Sequence, residues 1–246
     1  MIKRHALIMS LLITFLIGAN TLLFSFISSQ RENLIIKRVI DGDTLVFNNN
    51  KTARLLNINT PEKKSPLSQK SFNFLKDYEN KSVEVEFKSR DKYGRDLVKI
   101  YTPKYLNLEI VQQGYANKFL VSEEELEIFK KAEENAINNS KGIWNVSSYF
   151  NCFFASVFPE EELIELENNC KNINLKDWIL KDESRKEYKF ENVSINNKLS
   201  IKTKRGNNTK EKVFMNFGEN MLNNDRDSIY LFDEKGNIAF YYYYGY

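Results

Sequence analysis

Four short stretches of this 246-residue chain bring together residue types that could act on a phosphate ester. They are Val39-Ile40-Asp41-Gly42-Asp43-Thr44, Arg54-Leu55-Leu56-Asn57-Ile58-Asn59-Thr60-Pro61-Glu62, Asp91-Lys92-Tyr93-Gly94-Arg95 and Gly142-Ile143-Trp144. Cleaving a phosphodiester takes a cation to absorb charge developing on the phosphate, a base to activate or orient water, and planar donors to grip the non-bridging oxygens and the leaving group. Asp43 offers a hard anionic ligand at a strand start, and the Thr60 carbonyl, in the loop before Pro61, offers another oxygen. Glu62, two residues further on, can reach a metal-bound water. Arg54 and Arg95 come from different strand or loop positions and can clamp a phosphate from two sides. These side chains are expected to line an open site.

Other chemistries are excluded by composition. The single histidine is His5, in the N-terminal leader, so no mature domain can use Ser–His–Asp or Cys–His catalysis or a histidine metal site. Two cysteines cannot build a structural zinc site by themselves. A carboxylate base with two guanidiniums and a hard metal is the set that remains. The formal charge is +3, but it is uneven. Residues 31–121 hold 17 Lys+Arg against 11 Asp+Glu, a balance of +6, while residues 149–246 hold 14 against 16, a balance of −2.

Short strands and helices must position these residues. Leu34–Ile40, Thr44–Phe47 and Ala53–Ile58 read as strands separated by Asp41-Gly42-Asp43 and Asn48-Asn49-Asn50 turns. A helix follows over Ser68–Tyr78, then strands over Val83–Lys88 and Leu97–Tyr101. Tyr105–Gln113 reads as a helix ended by Gly114, and Glu123–Asn138 as a helix capped by Ser122 with acids in its first turn. Five short strands with helices between and after them suit an α+β domain built on an OB-type barrel.

From Cys152 onward the pattern is all β. Strands are expected over Phe153–Val157, Glu162–Glu167, Trp178–Lys181, Tyr188–Phe190, Lys198–Thr203, Val213–Phe217, Ser228–Phe232 and Ile238–Tyr243, which suits a sandwich. Trp178 reads as core. The expected organisation is an N-terminal segment over 1–30, a barrel domain over 31–148 and a sandwich domain over 149–246. In the first segment Lys3 and Arg4 precede the uncharged run Ala6 to Ile27, long enough for a bilayer core. It reads as an uncleaved membrane anchor or a cleaved signal, the missing small-x-small site favouring the anchor. Either way the basic end stays in the cytoplasm and the rest lies outside.

In this order and spacing, the four chemical stretches resemble the staphylococcal-nuclease (thermonuclease) family over roughly residues 34–146. The resemblance implies calcium-dependent cleavage of DNA and RNA leaving 3′-phosphates. It makes Asp43 and Thr60 calcium ligands, Glu62 the general base, and Arg54 and Arg95 the catalytic arginines. Tyr93, with Lys92 beside it, falls near the bound nucleotide, and Asp41 is a nearby carboxylate that does not ligate. The family's second calcium-binding aspartate falls on Asn59. An amide oxygen still binds calcium, with one negative charge fewer, so weaker binding is expected. The segment after Glu62 is shorter than in the type member. The base-stacking tyrosines of that member fall on Leu120 and Ser122, and Phe119 and Tyr115 lie nearby without an assigned role.

The C-terminal part resembles a lamin-tail domain, an immunoglobulin-like sandwich, through Glu161–Glu167, Leu175–Asp182, Tyr188–Phe190 and Asp227–Asn237 in that order. That resemblance brings no catalytic residues; the module is expected to bind envelope material, nucleic acid or a partner. The functional expectation is thus a surface-tethered or secreted, monomeric sugar-nonspecific endonuclease. The runner-up is a nuclease-fold module that holds nucleic acid at the envelope with weak or no catalysis. A hairpin centred near residue 161 would set Cys152 opposite Cys170, and an oxidising location would let them bond; two buried thiols are the alternative.

Overall fold

A computed structural model describes residues 5, 9, 12–20, 31–63, 67–184 and 186–245. Much of the expected membrane segment, including residues 21–27, lies outside these. Among the described residues no helix is long and apolar enough to cross a membrane.

The first body is built from β1 (Glu32–Val39), β2 (Thr44–Phe47), β3 (Thr52–Leu55), β4 (Ile58–Asn59), β5 (Ser82–Arg90), β6 (Asp96–Tyr101) and β7 (Asn117–Lys118). All but β4 and β7 close a barrel in the order β1-β2-β3-β6-β5. The β3–β6 pairing is parallel and the others are antiparallel. Alternate apolar residues point inward, so Leu45, Phe47, Ala53, Leu55, Val98 and Ile100 fill the centre. Helices α1 (Ser68–Lys76), α2 (Leu106–Gln112) and α3 (Glu123–Asn138) cover it. Burying each of the larger apolar side chains contributes about 1.5–3 kcal/mol.

Two local expectations change. The strand expected over Ala53–Ile58 stops at Leu55, because Asn57 turns into the left-handed region at φ 69°. Buried Asn107 of α2 fixes the break: it donates to the Leu56 and Val98 carbonyls and accepts from the Ile100 N–H. The chain then re-enters as β4, which pairs with β7, Ile58 opposite Lys118 and Asn59 opposite Asn117. Ser122 does occupy the N-cap of α3, but it makes no capping bond. It instead helps hold the nearby Glu124 carboxyl below its ordinary value.

The second body contains β8 (Phe153–Phe158), β9 (Leu163–Asn168), β10 (Ile173–Asn174), β11 (Ile179–Asp182), β12 (Glu187–Lys189), β13 (Ser194–Ile195), β14 (Lys198–Lys202), β15 (Lys212–Phe214), β16 (Asp227–Phe232) and β17 (Ile238–Tyr244). Two four-stranded sheets, β12-β11-β16-β17 and β15-β14-β9-β8, face each other as a sandwich. Leu166 and Ile201 from one sheet, Leu180 and Leu231 from the other, and Trp178 share one core. The β10–β13 pair, absent from the sequence reading, is two residues long on each side and too short to show alternation.

The two bodies are joined over a dry seam. Gly114 and Gly142 meet so closely that a Cβ on Gly142 would lie 2.1 Å from the Gly114 carbonyl oxygen, and both have positive φ. That contact sets Trp144, which packs against Tyr230 and Phe232 of β16. Ala136, Ile137, Ile143 and Ile238 complete the apolar cluster. Beside it Lys118, wholly buried, pairs with Glu133 at 3.2 Å and donates to Ser228 Oγ. Glu133 also accepts from the Tyr230 hydroxyl at 3.1 Å.

Cys152 and Cys170 are joined by a disulfide. The hairpin beneath it runs one residue out of the expected register. Phe153 pairs with Asn168 and Phe158 with Leu163, so Asn169, not Cys170, lies across from Cys152 and donates to its carbonyl. The bond therefore closes diagonally, just past the end of the ladder.

Two predictions follow from this packing. With a sequence separation of 18 residues between its cysteines, the disulfide should add about 3 kcal/mol to the sandwich. Unreduced protein should show no alkylatable thiol by mass spectrometry, and reductant should lower the melting temperature; two free thiols would contradict the bond. Asp227, next, is pushed up to about 7 by burial and by the Glu183 carboxylate, against N–H bonds from Asn223 and Ser228. Its raised value means the folded state holds this proton more tightly than the unfolded chain does. That contribution is full below about pH 4 and is lost as pH rises through about 7. Asp227→Asn should therefore lose less stability than the parent between pH 4 and 8, measured by urea melts; parallel profiles would count against it.

Candidate active site

The D-G-D turn, the β3–β4 break and the β5–β6 turn bring the expected residues to one end of the barrel. Gly42 is required there, because a Cβ would lie 2.5 Å from Ser71 Cβ and 2.9 Å from Thr60 Oγ1. This close approach seats Asp43 at the start of β2, 4% exposed at its side chain. Arg54 of β3 reaches back across the sheet, since Thr44 and Arg54 are register partners. One nitrogen of its guanidinium, Nη2, lies 3.2 Å from Asp43 Oδ2, 3.1 Å from Asn59 Oδ1 and 3.0 Å from the Ile58 carbonyl. A carboxylate, an amide oxygen and a backbone carbonyl thus converge on a single cationic atom.

Thr60 closes the same side. Its N–H and hydroxyl both donate to Asp43 Oδ2, at 3.4 and 3.3 Å. Thr60 therefore meets Asp43 through donors. Among the described residues its carbonyl, the group expected to ligate, meets no donor. Arg95 arrives from the β5–β6 turn. Its Nε binds Asp91 at 2.7 Å, and its Nη1 donates to Thr44 Oγ1 at 3.4 Å. Thr44 in turn donates to Asp43 Oδ1 at 2.9 Å. Both arginines are thereby linked to the two oxygens of one aspartate. Thr44 is the connecting residue that the sequence reading overlooked; a hydroxyl at a strand start gives no signal by itself.

The remaining candidates are spread around this centre. Glu62 is exposed in the loop beyond Pro61. Tyr93 is 73% exposed, with the Arg95 guanidinium 5.5 Å and the Lys92 ammonium 5.2 Å from its ring centre. The three form an exposed, cationic, aromatic tip beside the arginine pair. Phe119 stacks at 5.7 Å from the Arg54 guanidinium. Burial, and then the neighbouring Asp43 carboxylate, pushes Asp41 above its ordinary value. Burial also acts upward on Asp91, but the backbone and side-chain bonds of Arg95 and the backbone bond of Tyr93 outweigh it and hold Asp91 below its ordinary value. The expectation of an open site is corrected for Arg54, whose side chain is only 12% exposed. The reason is its ion pair with a buried aspartate.

Carboxylate, amide and carbonyl oxygens are ligand types that a hard cation takes; here all three are bonded to the Arg54 guanidinium, which would have to give way to one. Among the described residues no group of three or more His, Cys, Asp or Glu lies together as a metal cluster. A cation here would rest on Asp43 as its anionic ligand, with neutral oxygens for the rest. Asn59 is buried at 3% exposure, and its other end, Nδ2, donates at 3.1 Å to the Glu183 carbonyl of the sandwich. Glu183 had no signal in the sequence, because it lies 124 residues from Asn59 and in a different body.

Residues 52–146 match the family model described as Staphylococcal nuclease homologue. A protein named "Uncharacterized endonuclease" from Escherichia coli O157:H7 is 37% identical over 87 residues, 33% of this chain and 57% of that protein. The thermonuclease of Staphylococcus intermedius is 29% identical over 128 residues, covering 46% of this chain and 76% of it. Endonuclease YhcR of Bacillus subtilis (strain 168) is 31% identical over 137 residues, 45% of this chain and 11% of its own length. The chain thus spans little more than half of the Escherichia coli relative, and the family match stops at residue 146, short of the sandwich. Residues 52–146, which carry Arg54, Asn59, Thr60, Glu62 and Arg95, match a staphylococcal nuclease domain, while Asp43 and the first two strands of the same barrel lie ahead of the matched span.

Proposed function

We propose that this chain is an endonuclease that hydrolyses phosphodiester bonds of DNA and RNA with calcium, leaving 3′-phosphate products, outside the cell. The observation that carries the reading is the convergence of Arg54 and Arg95 on Asp43, beside oxygens suited to a hard cation. A module that only held nucleic acid would need cations on its surface, not a guanidinium held at 12% exposure by a buried aspartate.

Asp43 and Asn59, with the Thr60 carbonyl, would hold the calcium ion. When bound, it supplies a positive charge that offsets the charge developing on the phosphate. Arg54 and Arg95 bind the non-bridging oxygens from two sides, and a guanidinium donates to the leaving O5′. Glu62 takes the proton of the attacking water. The new P–O bond forms to that water, the P–O5′ bond breaks, and O5′ takes a proton from solvent. Tyr93, with Lys92 and Arg95 around its ring, offers an exposed hydroxyl and positive charge to the nucleotide's phosphate. The excess positive charge of residues 31–121 favours approach of a polyanion. A disulfide supports an oxidising compartment, and with it a secreted or membrane-tethered enzyme. The lamin-tail likeness of the sandwich rests on its sequence motifs.

The full chain should nick plasmid DNA and degrade RNA in millimolar calcium and stop in chelator. Binding without cleavage in calcium would favour the nucleic-acid-holding alternative. Arg54→Ala, Arg95→Ala and Glu62→Gln should each lower the rate about a hundredfold or more. Stability should separate them. Arg54→Ala strands the buried Asp43 carboxylate and should cost about 3–5 kcal/mol, whereas exposed Glu62→Gln should leave urea melts almost unchanged. A parent-like rate from any of the three would remove that residue from the mechanism.

A further inference from the structure

The barrel site is touched by one residue of the sandwich at three points. Glu183 follows β11 and is wholly buried. Its backbone carbonyl accepts from Asn59 Nδ2 at 3.1 Å and from Asn117 Nδ2 at 3.5 Å, the two residues opposite each other in the β4–β7 pair. Its carboxylate accepts from the Leu120 N–H at 3.3 Å and from Ser228 Oγ at 2.9 Å. Leu120 sits in the left-handed region at φ 48°, an uncommon conformation for a leucine that a buried acceptor at its N–H helps fix. Arg226 adds a second tie, donating to the Val121 carbonyl at 2.6 Å.

These contacts orient the Asn59 amide. With Nδ2 donating to the Glu183 carbonyl, Oδ1 is left facing Arg54 Nη2 beside Asp43. A carboxylate at position 59 would place an oxygen against the Glu183 carbonyl oxygen, a repulsive acceptor–acceptor contact in a buried place. The amide is therefore the side chain that satisfies both sides. A second body thus packs on the far side of the residue and takes up its amide nitrogen.

We propose that Glu183 is a positioning residue for the nuclease site, acting through Asn59 and the 117–120 segment, so that the sandwich is a structural part of the active site. This rests on the nuclease reading above. It differs from treating Asn59 as a weakened ligand, because the two views give opposite outcomes for Asn59→Asp. If position 59 only supplied charge to calcium, an aspartate would lower the calcium needed for half-maximal rate. If it bridges Glu183 to Arg54, the substitution breaks the bridge.

The test uses the full chain with calcium chloride and plasmid DNA, and reads kcat, the calcium midpoint and the calcium-induced rise in melting temperature. Asn59→Asp should lower kcat roughly tenfold or more, the scale of a small misplacement. It should also leave the calcium midpoint unchanged or raised, and shrink the calcium-induced thermal shift. Glu183→Ala keeps the backbone carbonyl that Asn59 and Asn117 donate to and removes only the carboxylate at the Leu120 N–H and Ser228 Oγ, so it tests the 117–120 arm: kcat should fall, at a temperature where circular dichroism reports the variant folded, and Glu183→Gln, which retains an acceptor oxygen, should recover most of the loss. A lower calcium midpoint with undiminished kcat for Asn59→Asp would overturn the proposal, and parent-like kcat for Glu183→Ala would overturn the part of it that runs through the 117–120 segment. Should Glu183→Ala not fold, Asn59→Asp decides alone. Absence of cleavage by the parent chain would instead refute the nuclease reading; the thermal shifts then still test the bridge, a shift in Asn59→Asp equal to or larger than the parent's overturning it.

Discussion

A lysine ammonium with no access to water constrains much of this molecule. Lys118 can be buried only because Glu133 faces it and Ser228 accepts from it, while Tyr230 satisfies Glu133 in turn. Two of these partners belong to the barrel body and two to the sandwich. Removing a single partner of such a buried pair costs about 3–5 kcal/mol, since the remaining charge has no water to turn to. The ionic cluster therefore fixes how the two bodies meet. Lys118 lies on β7, β7 pairs with β4, and β4 carries Asn59 to the arginine and aspartate of the candidate site. Position of the site and position of the interface are one geometrical fact.

The apolar part of the seam serves the same end by a different route. The glycine-to-glycine contact between residues 114 and 142 lets the chain after α3 fold back against the barrel, which delivers Trp144 to β16. The segment then adds itself to the sandwich: the Asn145 carbonyl accepts from Ile238 N–H, and Ser147 N–H donates to the Ile238 carbonyl. The chain just ahead of the expected boundary between residues 148 and 149 is thus hydrogen-bonded to the last strand.

Much of this was legible in sequence. Alternation and turn residues placed β2 and α3 correctly to the residue and most other elements within two, and Asp43, Arg54 and Arg95 proved to be neighbours. The failures share a cause. Asn57 ends a strand because Asn107, fifty residues away, ties the break together, and no local propensity reports that. The hairpin register was wrong by one because the turn there is a short 3-10 helix, Pro159–Glu161, followed by Glu162 at positive φ, and this backbone detail shifts the pairing. Arg54 was expected to be open and is mostly enclosed, because its partner is a buried aspartate that only the tertiary fold supplies.

The seam joins the middle of the chain, residues 114–144, to its last two strands, and this has a temporal consequence. Ser228, Tyr230, Phe232 and Ile238 all lie on β16 and β17, more than eighty residues after the end of α3. A ribosome releases the barrel, with every catalytic candidate already in it, well before these strands exist. Until they arrive, Lys118 and Trp144 face solvent, and Asn59 lacks the carbonyl that orients it. During synthesis, completion of the site thus waits on one of the last stretches of chain to emerge.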